Sequence, residues 1–244
     1  MSILNYNSWS IKSKIRAYFA HRLGIPEIPV ALQRLSLLEF QPNQIFDVGA
    51  HQGDFAQCCL KIWPQVKISC FEALEHRVVQ LQKMATVNSA IQVFPGLLGA
   101  EELDKVALNE SETASSILVE NIPQNFPISF HQMRTVDQIV QNYFGGCGPD
   151  LLKLDVQGYE LEVLKGAEKS LPTIKAILAE VNLLDIHENV PLFAEIIAWL
   201  NERDWVAYDI CSFIRRPLDK ALWQVDMIFV PRNSPLRNDK RWIA

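Results

Sequence analysis

From residue 44 to residue 230 the chain alternates short apolar runs with segments of helical period, and that alternation constrains the fold more than any other feature. The runs 45–48, 66–71 and 91–94 are rich in β-branched and aromatic residues, 150–154 is leucine-rich and 174–181 mixes Ile, Leu, Ala and Val. All are too short for buried helices. They read as strands. Between them, 55–63 (ended by Pro64), 75–87, 159–170 and 191–203 read as helices, with Pro191 suited to a first turn. Strands separated by helices pair in parallel through right-handed crossovers, which predicts an α/β, doubly wound sheet. Residues 205–210 and 225–230 have only a loop between them and predict a terminal antiparallel hairpin.

Residues 95–134 fit the alternation poorly and are expected to form an insertion over the sheet edge, with extended runs at 105–108 and 116–119. The domain is therefore expected over 43–231, after an N-terminal helical extension (1–42) and before a C-terminal tail (232–244). In the extension, Ile11, Ile15, Tyr18, Phe19 and Leu23 stand among basic residues, the signature of an amphipathic helix over 10–23. Its expected role is to pack on the domain, with weak contact to a membrane surface as the alternative. Pro26 and Pro29 are expected to break the chain before a second short helix over 32–40.

Composition removes several classes. The chain is 49% apolar and 21% charged, so it can bury a core, and it has no apolar run of 18 residues to span a membrane. Its start lacks the apolar h-region and small-residue cleavage site of a secretory leader. Five cysteines (Cys58, Cys59, Cys70, Cys147, Cys211) form no CxxC pair and no even framework, which suits unpaired thiols and a cytoplasmic location. The net charge of −5 hides basic ends around a centre (27–214) of −13. A body that acidic repels phosphate backbones, so nucleic acid is not an expected partner.

Open α/β sheets bind ligands outside the carboxyl ends of their strands. The first such end reads Asp47-Val48-Gly49-Ala50-His51-Gln52-Gly53-Asp54. Gly49 permits a tight turn and Gly53 a close approach, but a dinucleotide fingerprint would need glycines where His51 and Asp54 stand. Asp47 would repel a pyrophosphate and attract a cation. The second strand ends at Glu72, 19 residues beyond Gly53, the separation expected of an acid that binds both hydroxyls of a ribose. A cationic, ribose-bearing ligand without a pyrophosphate describes S-adenosylmethionine. The alternative is that Asp47 and Glu72 are a helix cap and a surface acid.

These residues also carry a resemblance. Asp47-Val48-Gly49-Ala50 with Gly53, then Phe71-Glu72, then the stretch 153–167 (KLDVQGYELEVLKGA) resemble the FkbM family of S-adenosylmethionine-dependent methyltransferases over roughly residues 43–231. Thr135-Val136-Asp137 is similar to a shorter family element, and Ser115-Ser116 to a serine element within the insertion. His51 stands where the family usually has Asn, and Ala73 where it usually has Pro after the ribose acid. The resemblance implies a class I methyltransferase fold, Rossmann-like and mostly parallel. It also implies O-methylation of a hydroxyl on a sugar or natural product, with Asp47, Gly49, Ala50, His51, Gly53, Glu72 and Asp155 around the cofactor.

Asp155 and Glu180 sit at the ends of the two middle strands, where the reactive end of a ligand lies. They are candidates for a base with an orienter, for ligands of a divalent metal, or for binders of the cofactor amine. His187 and His131 are candidate bases by their ordinary pKa, against the alternative of a satisfied or solvated histidine. Lys153 reads as an ion-pair partner, Gly166 as a close-packing residue and Thr135 with Gln138 as a capping box. A nicotinamide oxidoreductase and a non-catalytic module that kept the cofactor pocket are the competing readings.

Overall fold

The computed structural model describes residues 22–111, 115–121 and 125–243, so residues 10–21 of the expected N-terminal helix lie outside the described part. In chain order the elements are α1 (Ile28–Leu37), β1 (Gln44–Val48), α2 (Asp54–Ile62), β2 (Lys67–Glu72), α3 (Glu75–Val87), β3 (Ile91–Pro95), β4 (Leu97–Leu98) and β5 (Leu103–Asn109). They continue with β6 (Ile128–Arg134), α4 (Val136–Tyr143), β7 (Leu151–Leu154), α5 (Glu160–Lys165), β8 (Ala176–Asn182), α6 (Phe193–Asn201), β9 (Trp205–Arg215) and β10 (Leu222–Pro231). Among the described residues no helix is long and apolar enough to cross a membrane.

The main sheet runs β3-β2-β1-β7-β8-β10-β9. β1, β2, β3, β7 and β8 are parallel, while β10 is antiparallel to both β8 and β9. The chain builds outward from β1 to β3 and then returns to place β7 on β1's other side. That reversal opens a crevice between the carboxyl ends of β1 and β7. The central strands are mostly apolar because both faces are covered. Phe46, Val48, Leu152, Leu154, Ile177 and Phe229 pack on one face with Ile139, Val163 and Ile196. Ile45, Ile68, Leu151, Leu178 and Ile228 pack on the other with Leu32, Leu35, Cys59 and Leu81.

The insertion forms a second sheet, β4-β6-β5, with expected run 105–108 inside β5. Of the run 116–119, Ser116 makes an isolated bridge to Asn109. Three boundaries differ from the sequence reading. Pro29 does not break the chain but sits in the first turn of α1, where no backbone N–H is needed. The helix expected over 159–170 stops at Lys165, and a 3-10 turn follows at Leu171–Thr173. There the Asp137 carboxylate from α4 accepts the N–H groups of Lys169 (3.0 Å) and Ser170 (2.8 Å), offering this backbone partners outside the helix. The hairpin strands extend further than expected, because the β9–β10 ladder absorbs three register shifts and so continues to Arg215.

The capping box at α4 forms as the sequence indicates: Gln138 N donates to Thr135 Oγ1 (3.0 Å) and Thr135 N to Gln138 Oε1 (2.9 Å). Gly166 is the contact that seats α5 against the strand β4 exit. A Cβ there would lie 1.9 Å from the Gly99 carbonyl oxygen, which is backbone and cannot yield. Gly166→Ala is therefore expected to cost about 1–3 kcal/mol by overpacking, read as a melting temperature several degrees lower in a thermal scan.

Candidate active site

The crevice begins with the turn after β1. Gly49 adopts φ +74°, and a Cβ on it would fall 1.9 Å from the Asp155 carbonyl oxygen, so the exits of β1 and β7 meet at a contact only glycine permits. The Gly49 and Ala50 N–H groups both donate to the Phe71 carbonyl (3.1 and 3.0 Å), tying the turn to the end of β2. The next N–H, of His51, donates to Glu72 Oε2 at 2.8 Å. Glu72 Oε1 accepts Ala73 N (2.8 Å) and Leu74 N (3.0 Å). Three backbone donors thus fix this carboxylate and leave one lone pair, on Oε2, for a further donor.

Beneath the turn lies a chain of charge. Lys153 Nζ is 3.0 Å from Asp47 Oδ1 and 3.4 Å from Asp155 Oδ2, and it donates to the Gly49 carbonyl at 2.8 Å. Burial pushes the Asp47 carboxyl up and Lys153 pulls it back. Burial alone would lower the Lys153 ammonium, but Asp47 and Asp155 together hold it above its ordinary value. Asp47 is fully buried and does not line the crevice. The expectation that it attracts a cation directly is corrected: its charge is spent on Lys153, from the floor of the site.

Past β7 the backbone reverses through Gln157 (φ +53°) and Gly158 (φ +100°). Glu160 holds that reversal by accepting Val156 N (2.8 Å) and Gly158 N (3.0 Å). Burial pushes its carboxyl up to about 7 against the pull of those donors. Gln157 Nε2 donates both to Asp155 Oδ1 (3.1 Å) and to Glu180 Oε1 (3.2 Å), so one amide spans the two strand-end acids. Gln224 Nε2, from β10, reaches the same Glu180 oxygen at 2.7 Å. Burial, reinforced by Asp155, holds Glu180 well above the usual carboxylate range.

Over these groups stands a cavity of about 410 Å³. Gly49, His51, Glu72, Asp155 and Glu180 line it; Ala50 and Gly53 shape the turn from behind. The side sheet roofs it with Leu97, Leu98 and Leu108, and Ser111, Ser115 and Ile117 add to the lining. Ser116 anchors residues 115–117, its Oγ donating to the Gln157 carbonyl at 2.8 Å. Among the described residues no lysine or arginine lines the cavity.

Two candidate bases stand elsewhere. His187 lines a separate depression with Asp185, Glu188 and Glu195, because the loop after β8 carries it outward to bridge Glu120. His131, on β6, is paired with Ser129 (2.7 Å) and is not part of the lining. Among the described residues no group of three or more His, Cys, Asp or Glu is arranged to hold a metal ion. The sequence reading overlooked Gln157 and Gln224. Gln157 carried a signal, lying between a strand-end acid and a turn glycine; Gln224 carried none.

Lys153→Met would strand a buried carboxylate at Asp47, with an expected cost of about 3–5 kcal/mol in denaturant unfolding. Adding Asp47→Asn to that variant removes the unpaired charge and should recover part of the loss, whereas independent sites would make the two costs add.

A family model described as the methyltransferase FkbM domain matches residues 47–206. A crystal structure of a methyltransferase FkbM from Methylobacillus flagellatus KT aligns with a TM-score of 0.53 at 16% identity, covering 88% of this chain and 51% of that one. This chain thus spans about half the length of that protein. A putative O-methyltransferase from Klebsiella pneumoniae aligns at a TM-score of 0.47 and 11% identity, covering 93% and 83% of the two chains. At 16% identity the likeness to the Methylobacillus structure is one of fold, the class I methyltransferase sheet. No curated protein sequence matches the chain.

Proposed function

Because the chain belongs to the FkbM-domain methyltransferases, we propose that this crevice binds S-adenosylmethionine and that the protein methylates a hydroxyl of an uncharged sugar or natural product. The observation that carries the reading is Glu72, pinned by three backbone N–H groups at the end of β2 beside the glycine turn of β1. Its remaining lone pair, on Oε2, suits a hydroxyl of a ribose diol. No lysine or arginine among the lining residues offers itself to a pyrophosphate, which counts against a nicotinamide dinucleotide, as does the broken glycine fingerprint.

When bound, the sulfonium cofactor supplies an electrophilic methyl carbon. Glu72 would hold the ribose hydroxyls, and Phe71, Leu74, Leu97 and Leu98 would flank the base with apolar surface. The Asp155 side chain is 40% exposed, at the switch point, where a carboxylate favours an amine or a sulfonium. Apolar roof residues exclude water from the transferring group, and positioning supplies much of the rate. The acceptor side is walled by Glu180 and Asp155 and backed by a strongly acidic body, which disfavours phosphorylated or nucleic-acid acceptors.

Isothermal titration with S-adenosylmethionine and with NAD tests the cofactor, and binding of NAD alone would overturn the reading. Glu72→Gln should weaken S-adenosylmethionine binding by about tenfold or more, the worth of a charge-assisted pair. Because the new amide nitrogen cannot accept the backbone N–H groups that Glu72 now holds, the variant should also melt a few degrees lower, so binding is compared where it is fully folded. For the acceptor, mass spectrometry of glycans and metabolites from a strain lacking the gene should find species lighter by one methylene.

A further inference from the structure

Glu180 is held asymmetrically. Gln157 Nε2 (3.2 Å) and Gln224 Nε2 (2.7 Å) both donate to Oε1, while no described residue donates to Oε2. The residue is 5% exposed and lines the cavity, so the oxygen without a protein donor belongs to a carboxylate that borders the acceptor side. Asp155 is differently placed: Oδ1 already accepts from Gln157 and Oδ2 faces the Lys153 ammonium. Both Asp155 oxygens are thus engaged by the protein, whereas Glu180 keeps an oxygen without a protein donor. Gln224 is itself held, donating also to Asn182 Oδ1 at 3.2 Å, and the antiparallel register sets it opposite Asn182 and sets Asp226 opposite Glu180.

We propose that Glu180 Oε2 takes the proton of the acceptor hydroxyl, and that Gln224 is a positioning residue that commits Oε1 to the protein and leaves Oε2 for the acceptor. This rests on the methyltransferase reading of the crevice. In the step, the acceptor O–H bond breaks and its proton passes to Glu180 Oε2. The oxygen's electron pair forms the new C–O bond, and the C–S bonding pair stays on sulfur as a neutral thioether. Glu180 enters ionised, leaves protonated, and returns its proton to solvent. The groups that act on its titration are Asp155, Glu160 and Asp226, which raise it along with burial, and Lys153, which lowers it. A base raised toward neutrality is better matched to an alcohol than an ordinary carboxylate is.

The sign of the pH dependence follows. A carboxyl raised in the folded state binds a proton that the unfolded chain has lost, so stability falls as pH rises above the ordinary value of 4.5. In the cofactor-free protein, Glu180→Gln should flatten part of that fall. Gln224→Leu or Gln224→Ala removes the 2.7 Å donor to the ionised form and should carry the fall to higher pH. In turnover, Glu180→Gln should lower kcat by about a hundredfold or more while S-adenosylmethionine affinity stays within a few fold. The Gln224 variants should shift the acidic limb of the kcat profile to higher pH, in step with the unfolding data, and keep most of kcat on the alkaline plateau.

Near-normal turnover in Glu180→Gln, or Gln224 variants that move neither profile, would overturn the assignment while cofactor binding still upheld the reading of the crevice. A wild-type protein that binds no S-adenosylmethionine would overturn both.

Discussion

One buried ammonium holds the carboxyl ends of β1 and β7 together. Lys153 faces Asp47 across the strand pair, donates to the Gly49 carbonyl and faces the Asp155 carboxylate. Those contacts join the glycine turn to the strand-end acid of the neighbouring strand. An isolated charge in this position would be prohibitively costly. Lys153 offsets Asp47 through the 3.0 Å ion pair to Oδ1 and donates to the Val48 and Gly49 carbonyls, while Asp47 Oδ2 is buried without a hydrogen-bond donor among the described residues. The tight approach of Gly49 to the Asp155 backbone, and the height at which Asp155 meets the crevice, both depend on it.

From that point polar groups run outward in both directions. Toward β2, three backbone donors lock Glu72; toward β8, Gln157 and Gln224 lock Glu180. The two carboxylates are thus immobilised by neutral donors, which orient them without cancelling their charge. The rest of the lining is largely apolar, with His51, Asp155 and Gln157 among its polar members, and the side sheet closes over it. On the proposed reading, the Glu72 half takes the ribose-bearing cofactor and the Glu180 half the acceptor hydroxyl. Ser116 links the side sheet to the Gln157 turn, so the roof and the acids are positioned by the same stretch of backbone.

Much of this was legible in the chain. Short, mostly apolar runs ending at Gly49, Glu72 and Asp155 marked the strand ends, because strands buried on both faces are rich in apolar residues, whereas β8 runs two residues past Glu180 to Asn182. Thr135 with Gln138 announced the start of α4 because a capping box is satisfied within four residues. Pro29 and the early end of α5 were harder. A proline is compatible with a first turn as well as with a break, and the partner that takes over the backbone after Lys165 is Asp137, 28 residues away from it in the chain.

The sequence by itself determined where the strands end, which acids stand there and where only glycine can turn, since these are local matters of periodicity and backbone geometry. Tertiary structure decided how the acids divide their work. Asp47 turned inward onto Lys153 and Asp155 outward, although both stand at the exits of neighbouring strands. The loop after β8 carried His187 away from the crevice, and the register of β10 brought Gln224 to Glu180, 44 residues distant. Cross-strand register and loop direction arise from the packing of the whole sheet. No window of sequence contains them.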